Sequence, residues 1–205
     1  MEPQIDRPAA EEFRYIARLH SESITGGFLS TLGLPFLSNL YGGISAAPQS
    51  GVLVARDADR VLGFAAFTAD LGACYRWVLT RRFVPLGISL VPNLLNLSIY
   101  RNVIQTLAYP LHASREPSGA SSAQPRAELL AVSVGDQARG RGIGKTLLRA
   151  VDERFTQLRV TQYFVVTHGT DERSNNFYKA CGFHWVHSFT NHGKPMNEYV
   201  RILPG

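Results

Sequence analysis

Arg139-Gly140-Arg141-Gly142-Ile143-Gly144-Lys145 packs three glycines and three cations into seven residues, a composition suited to holding a phosphate. Glycines let the backbone approach a ligand closely. A helix that starts directly after such a turn adds the partial positive charge and free N–H groups of its first turn. The helix is expected: Ile143, Leu147, Leu148, Val151 and Phe155 share one face, while Lys145, Arg149 and Glu153 look outward. A strand is expected just before the turn, over the apolar run from Glu128 to Val134. The segment therefore predicts strand, anion-binding turn and helix in immediate succession.

Three kinds of phosphate loop compete for it. A nucleoside-triphosphate loop needs glycine, four residues, then Gly-Lys-Ser/Thr; Gly144-Lys145-Thr146 supplies the end, but Arg139 occupies the place of the first glycine. A dinucleotide loop needs Gly-x-Gly-x-x-Gly, and glycines at 140, 142 and 144 fall one residue short of that spacing. The third pattern fits. Val134-x-x-x-x-Arg139-Gly140-x-Gly142-x-Gly144 resembles the acetyl-CoA pyrophosphate loop of the GNAT superfamily of N-acetyltransferases. A second motif follows at the right distance: Tyr163 to Thr167, His168-Gly-Thr-Asp171, then Ser174-Asn-Asn-Phe177-Tyr178-Lys-Ala-Cys181-Gly182-Phe183. It is similar to the family's next strand and its short tyrosine-bearing helix, with Gly182 as the helix stop. Asp171 and Ser174 stand where the family often has Asn and Ala. The resemblance is close over residues 127–203 and looser over 1–68.

The elements that must position these motifs can be read along the chain. Ile5 to Leu19 reads as a strand entering a helix, Ser21 to Thr31 as a turn, and Pro35 to Tyr41 as a short helix stopped by Gly42-Gly43. Gly51 to Arg56 and Val61 to Thr68 read as a hairpin around Asp57-Ala58-Asp59, and His184 to Thr190 with Met196 to Leu203 as a closing strand pair. The resemblance implies one α/β (α+β) domain over residues 1–205, with a mixed, mostly antiparallel central sheet flanked by helices. Residues 69–126 are expected to be a helical, apolar insertion between the third and fourth strands.

At 205 residues, with 45% hydrophobic and 18% charged side chains, the chain can bury a full core and is not of disordered composition. Its two cysteines, Cys74 and Cys181, give no disulfide framework, and the polar stretch from Met1 to Arg7 is no signal peptide, so a cytoplasmic location is expected. The net charge of +5 is localised. Residues 71–115 hold five arginines (Arg76, Arg81, Arg82, Arg101 and Arg115) and no acid, whereas sixteen basic and sixteen acidic residues balance elsewhere. Arginines among apolar residues suggest three roles for that stretch: a cover for the sheet, a homodimer contact, or peripheral contact with anionic membrane. No nucleic-acid partner is expected.

The resemblance implies acetyl-CoA as co-substrate, held by Val132, Ser133 and Val134 on the strand, by Arg139, Gly140, Arg141, Gly142, Ile143, Gly144 and Lys145 in the turn, and by Asp171 and Ser174 beyond the next strand. A main-chain N–H near Val132 to Val134 is the expected donor to the thioester oxygen. Tyr178 is the expected general acid for the thiolate, and Glu128 the expected base acting through water, with His168 the alternative. His20 and Glu22, placed in the turn between the first two helices, are expected near the acceptor. No metal site is expected: Cys181 lies on a helix, and His184 and His187, three apart on a strand, should face opposite sides. The expected reaction is acetyl transfer to a primary amine, with a small molecule such as an amino sugar or sugar nucleotide as the expected acceptor. A ribosomal-protein-type N-terminal acetyltransferase and a non-catalytic acyl-CoA-binding or membrane-docking module are the alternatives.

Overall fold

The structure, a computed structural model, describes residues 3–24, 28–58, 60–90, 125–191 and 193–204. Alternating side chains and the tight turn at Asp57 make a hairpin of β2 (Ser50–Asp57) and β3 (Arg60–Thr68), and β1 (Gln4–Asp6) pairs along its outer edge. Four further strands complete the sheet: β4 (Glu128–Val134), β5 (Gln162–His168), β6 (His184–Asn191) and β7 (Lys194–Ile202). The order is β1-β2-β3-β4-β5-β7-β6, and every neighbouring pair is antiparallel except β4 with β5. This is the mixed, mostly antiparallel sheet that the sequence predicts.

Each face of the sheet carries its own core. On one side lie α1 (Phe13–Ser23) and α2 (Leu34–Ala46), burying Ile16, Leu37, Leu40 and Tyr41 against Val52, Val54 and Phe64. On the other lies α5 (Ile143–Gln157), numbered after α3 (Leu71–Arg81) and α4 (Phe83–Leu90). Its buried residues are Ile143, Leu147, Leu148, Val151 and Phe155, the five of the predicted face. Each such side chain withdrawn from water contributes on the order of 1.5–3 kcal/mol. A short α6 (Glu172–Ala180) follows β5.

Two expectations about the first helices are corrected. Helix α1 extends to Ser23, so His20 and Glu22 are helical residues and not part of a turn. Helix α2 does not stop at Gly42-Gly43 but runs through to Ala46. The glycine there makes room for a neighbour: a Cβ on Gly43 would lie 3.2 Å from Val78 Cγ1 and 3.4 Å from Arg82 Cγ, both contributed by the α3 region. The segment expected as an insertion begins with α3 and α4, and α3 is capped by Asp70, which accepts from the Ala73 N–H at 2.9 Å. Residues 91–124, and with them most of the expected membrane or dimer contact, lie outside the described residues. No helix among the described residues is long and apolar enough to cross a membrane.

A polar brace joins the second core. Asp152 of α5 accepts from Arg201 Nε at 3.0 Å, from Arg201 Nη2 at 2.7 Å and from the Tyr163 hydroxyl at 2.7 Å. Arg201 also donates to the Cys181 carbonyl at the end of α6. One carboxylate thereby ties α5, β5, β7 and the C-terminus of α6 together.

Candidate active site

The sheet splits at β4. It runs parallel to β5 for two residue pairs, Glu128 with Phe164 and Leu129 with Val165. Its register with β3 shifts between Ala131–Ala66 and Leu129–Phe67, which leaves Leu130 as a bulged residue. The bulge is visible in the packing: Leu130 and Ala131 both pack with the α1–α2 core, whereas Leu129 and Val132 pack with the α5 core. Beyond it, the Ser133 carbonyl approaches β3 so closely that a Cβ on Gly63 would stand 2.6 Å away, and the Gly135 N–H donates to the Leu62 carbonyl at 2.9 Å. By the alternation of a strand, Val132 and Val134 turn their N–H and C=O groups to the side that β5 has left. A ligand entering the split meets that main-chain edge.

Ser133 departs from expectation. Its main chain faces β3, and its hydroxyl donates to the Leu19 carbonyl of α1 at 3.4 Å, so it anchors α1 and does not line the split. Arg139 departs as well. Its guanidinium donates to the Val134 carbonyl at 3.1 Å and to Ser23 Oγ at 3.3 Å, and pairs with Asp136. These bonds brace the turn and engage the guanidinium within the protein itself.

The turn itself is open. Gly140 and Gly142 have φ of 76° and 77°, left-handed values that favour glycine, and a Cβ at either would meet nothing within 4 Å. Gly142 is the N-cap of α5 with no side-chain cap, and its carbonyl accepts from the Thr146 N–H at 3.1 Å. The first-turn N–H groups of α5 thus face the open space before the glycines. Arg141 and Lys145 are exposed beside them, while Ile143 is buried and can offer only its main chain. At Gly144 the reason for glycine is different: a Cβ would stand 3.0 Å from Phe177 Cζ of α6. The start of α5 abuts the middle of α6 here.

Asp171 and Ser174 satisfy each other. Asp171 caps α6, accepting from the Ser174 N–H at 3.1 Å and the Ser174 hydroxyl at 2.5 Å. Partial burial pushes its carboxyl up, but the bonds from Ser174 and the nearby Arg173 outweigh this and hold it below the usual range. One residue missed from sequence is Asn175. It is buried, donates to the carbonyls of His168 at 2.9 Å and Asp171 at 2.6 Å, and accepts from Asn197 and the Tyr199 hydroxyl, each at 2.8 Å. It anchors α6 to the end of β5 and the middle of β7. An asparagine within a helix, where it is a poor former, was the available signal. Tyr178, one helical turn on, is buried edge-to-face between Phe177 and Phe183, with ring centroids 5.4 and 5.3 Å away. Burial, with Asp171 and Cys181 adding to it, pushes its phenol far up, so it keeps its proton at neutral pH.

Glu128 lies at the closed end of the split, on the face of α1 and α3. Arg126 Nε donates to it at 3.2 Å and Arg126 Nη2 donates to Glu198 of β7 at 2.6 Å. Burial pushes the Glu128 carboxyl up; Arg126 pulls it down by charge and hydrogen bond, Glu198 pushes it up again, and the outcome lies above the usual value. Such a carboxylate is a better proton acceptor than an exposed one. His168 is less free, with Nδ1 paired to the Thr170 hydroxyl at 2.9 Å. His20 is buried with Nδ1 2.5 Å from the Tyr41 hydroxyl, and desolvation lowers it to about 4. Glu22 lines a different hollow, a cleft of about 290 Å³ between α1 and the β4–α5 turn that includes neither Glu128 nor Tyr178. On β6 a register shift between Trp185 and His187 leaves Val186 bulged, so His184 and His187 oppose Val200 and Glu198 and share a face, contrary to the simple alternation.

Comparison with known proteins follows this geometry. A family model described as "Acetyltransferase (GNAT) family" matches residues 31–183. No curated protein matches the chain in sequence. Among solved structures, an N-acetyltransferase of Staphylococcus aureus Mu50 is similar at a TM-score of 0.64 and 14% identity, covering 100% of both chains. The protein yncA of Salmonella typhimurium, solved with its cofactor acetyl-CoA, is similar at 0.61 and 12%, covering 100% of this chain and 95% of that one. A ribosomal-protein-alanine N-acetyltransferase of Brucella melitensis is similar at 0.61 and 16%, covering 98% and 99%. At these identities the likeness is one of fold.

Proposed function

The chain belongs to the GNAT acetyltransferase family and is an acetyl-CoA-dependent N-acetyltransferase, and we propose that its acceptor is the primary amine of a small molecule, such as an amino sugar or sugar nucleotide. The observation that carries the proposal is the partly buried carboxylate of Glu128 beneath the split between β4 and β5, with α3 drawn over the same face. A helix there narrows the approach that an extended peptide would need.

Acetyl-CoA supplies an activated acyl thioester. Its pyrophosphate suits the main chain of residues 140–145 together with Arg141 and Lys145, and its arm suits the open edge at Val132 and Val134. A main-chain N–H on that edge would donate to the thioester carbonyl as negative charge develops, an interaction worth most where water is excluded. Glu128 would take the proton of the incoming ammonium, directly or through one water. The Tyr178 hydroxyl would donate to the departing sulfur. Asp171, Ser174 and Asn175 act by holding α6, and so Tyr178, in place. An unbiased screen of amine acceptors, following thiol release from acetyl-CoA, tests the acceptor class. Small amino sugars should outperform peptides bearing ribosomal-protein N-termini; the reverse order would overturn the small-molecule reading.

A further inference from the structure

We infer that Arg126 is a positioning residue for acetyl transfer: its guanidinium, laid on the Phe164 ring and shared between Glu128 and Glu198, sets the orientation and the charge of the Glu128 carboxylate. The inference rests on the reading of Glu128 as the base. Three contacts define the position of Arg126. Its Cζ lies 4.4 Å from the Phe164 ring centroid, Nη2 is 2.6 Å from Glu198 Oε1, and Nε is 3.2 Å from Glu128 Oε2. Its main chain is pinned too, because the Arg126 carbonyl accepts from the Leu71 N–H at the start of α3 at 2.9 Å.

The charge balance is uneven. Two carboxylates with side chains 14% and 7% exposed share one guanidinium, and the shorter bond goes to Glu198. Glu128 is therefore held by the fork without being fully neutralised, which leaves it able to accept a proton. A planar guanidinium can serve two carboxylates and stack on a ring at once, which an ammonium cannot do. Among the described residues, titratable groups beside this carboxylate pair include Tyr75 of α3, whose phenol is pushed up by burial and by the charge of Glu128, and His187 of β6, whose Nδ1 stands 3.7 Å from Glu198. Arg126 thus sits where the segment after α4 rejoins the sheet. It connects that junction to the carboxylate pair.

The test uses the full chain, with glutamate carboxyl carbons labelled and the Glu128 signal identified by its loss in Glu128→Gln. Carboxyl titration by NMR needs no acceptor. Arg126→Gln should move the Glu128 midpoint to higher pH, Arg126→Lys should move it less, and Glu198→Gln should move it to lower pH by removing a like charge and freeing the fork. With acetyl-CoA and glucosamine as the kinetic probe, Arg126→Gln should lose on the order of 10- to 100-fold in kcat through misplacement of the base, with unchanged KM for acetyl-CoA. The acidic limb should shift in the same direction as the NMR midpoint. If Arg126→Gln does not fold, the opposite displacement in Glu198→Gln decides the matter. A Glu128 midpoint that stays put in both variants overturns the inference alone. Wild-type turnover in Glu128→Gln overturns the base reading, and this inference with it.

Discussion

On the side of the split that faces α5, the site is made of main chain: the open edge of β4, the glycine turn and the first N–H groups of a helix. On the side that faces α1 and α3, it is made of charged side chains held half-buried by one another and by rings. The two halves have different sensitivities. A main-chain site depends on space and on backbone conformation, so it fails when a side chain is added. A side-chain site depends on charge balance in a partly desolvated setting, so it fails when a partner is removed.

The largest effect should come from adding a side chain to the main-chain half. Gly142→Asp places a carboxylate in the open space before the α5 N-terminus, at a left-handed φ that Asp tolerates better than most residues. Repulsion of a pyrophosphate at about 4 Å is worth up to ~4 kcal/mol where solvent screens partly, and exposure of the turn reduces this to a loss of about 10²-fold in acetyl-CoA affinity. Calorimetry on the folded variant checks it; unchanged affinity would remove the turn from the cofactor site.

Tyr178→Phe should leave acetyl-CoA affinity intact and lower kcat by about 10²-fold. A wild-type rate would reduce Tyr178 to a packed aromatic between Phe177 and Phe183 and would locate the acid elsewhere.

The brace in the α5 core should respond more modestly. Asp152→Asn removes the charge that Arg201 grips, in a pair whose side chains are 24% and 17% exposed. Partial exposure discounts the usual cost of breaking a buried pair to roughly 2 kcal/mol, readable as a lower denaturant midpoint. Equal midpoints would make the brace incidental to stability.

The smallest effect belongs to the α6 cap. Asp171→Ala should cost about 1 kcal/mol at neutral pH. Because the folded pKa of Asp171 is depressed below 3.8, its contribution is full above the unfolded value and disappears as pH falls through the folded one. The gap in thermal midpoint between wild type and variant should therefore close in strong acid. A gap that persists there would mean that the side chain stabilises α6 by packing rather than by charge.

How much of the molecule was legible follows the same division. The α5 face, both hairpins and the glycine turn could be read because each is encoded by neighbours in the chain: a helical period, polar turn residues between apolar runs, three glycines before an amphipathic helix. The half built of charged side chains was legible only as separate residues. Glu128 stood out, but Arg126, Glu198 and Asn175 did not, because their roles come from β4, β7 and α6 meeting in space. Ser133 and Arg139 misled for the related reason that a motif does not say which way a side chain turns. The extension of α2 through Gly42-Gly43 was hidden because glycine reads as a stop in isolation, whereas here it admits Val78.

From its sequence alone this chain determined the order of its elements, the faces they bury and the glycine turn before α5, since local spacing sets all three. Tertiary structure alone decided the rest: the bulge at Leu130 that turns Val132 and Val134 toward the split, and the sharing of one guanidinium between two carboxylates. A bulge is defined by register with a neighbouring strand, and a charge balance by which residues are brought within a few ångströms, and neither quantity exists until the strands are paired.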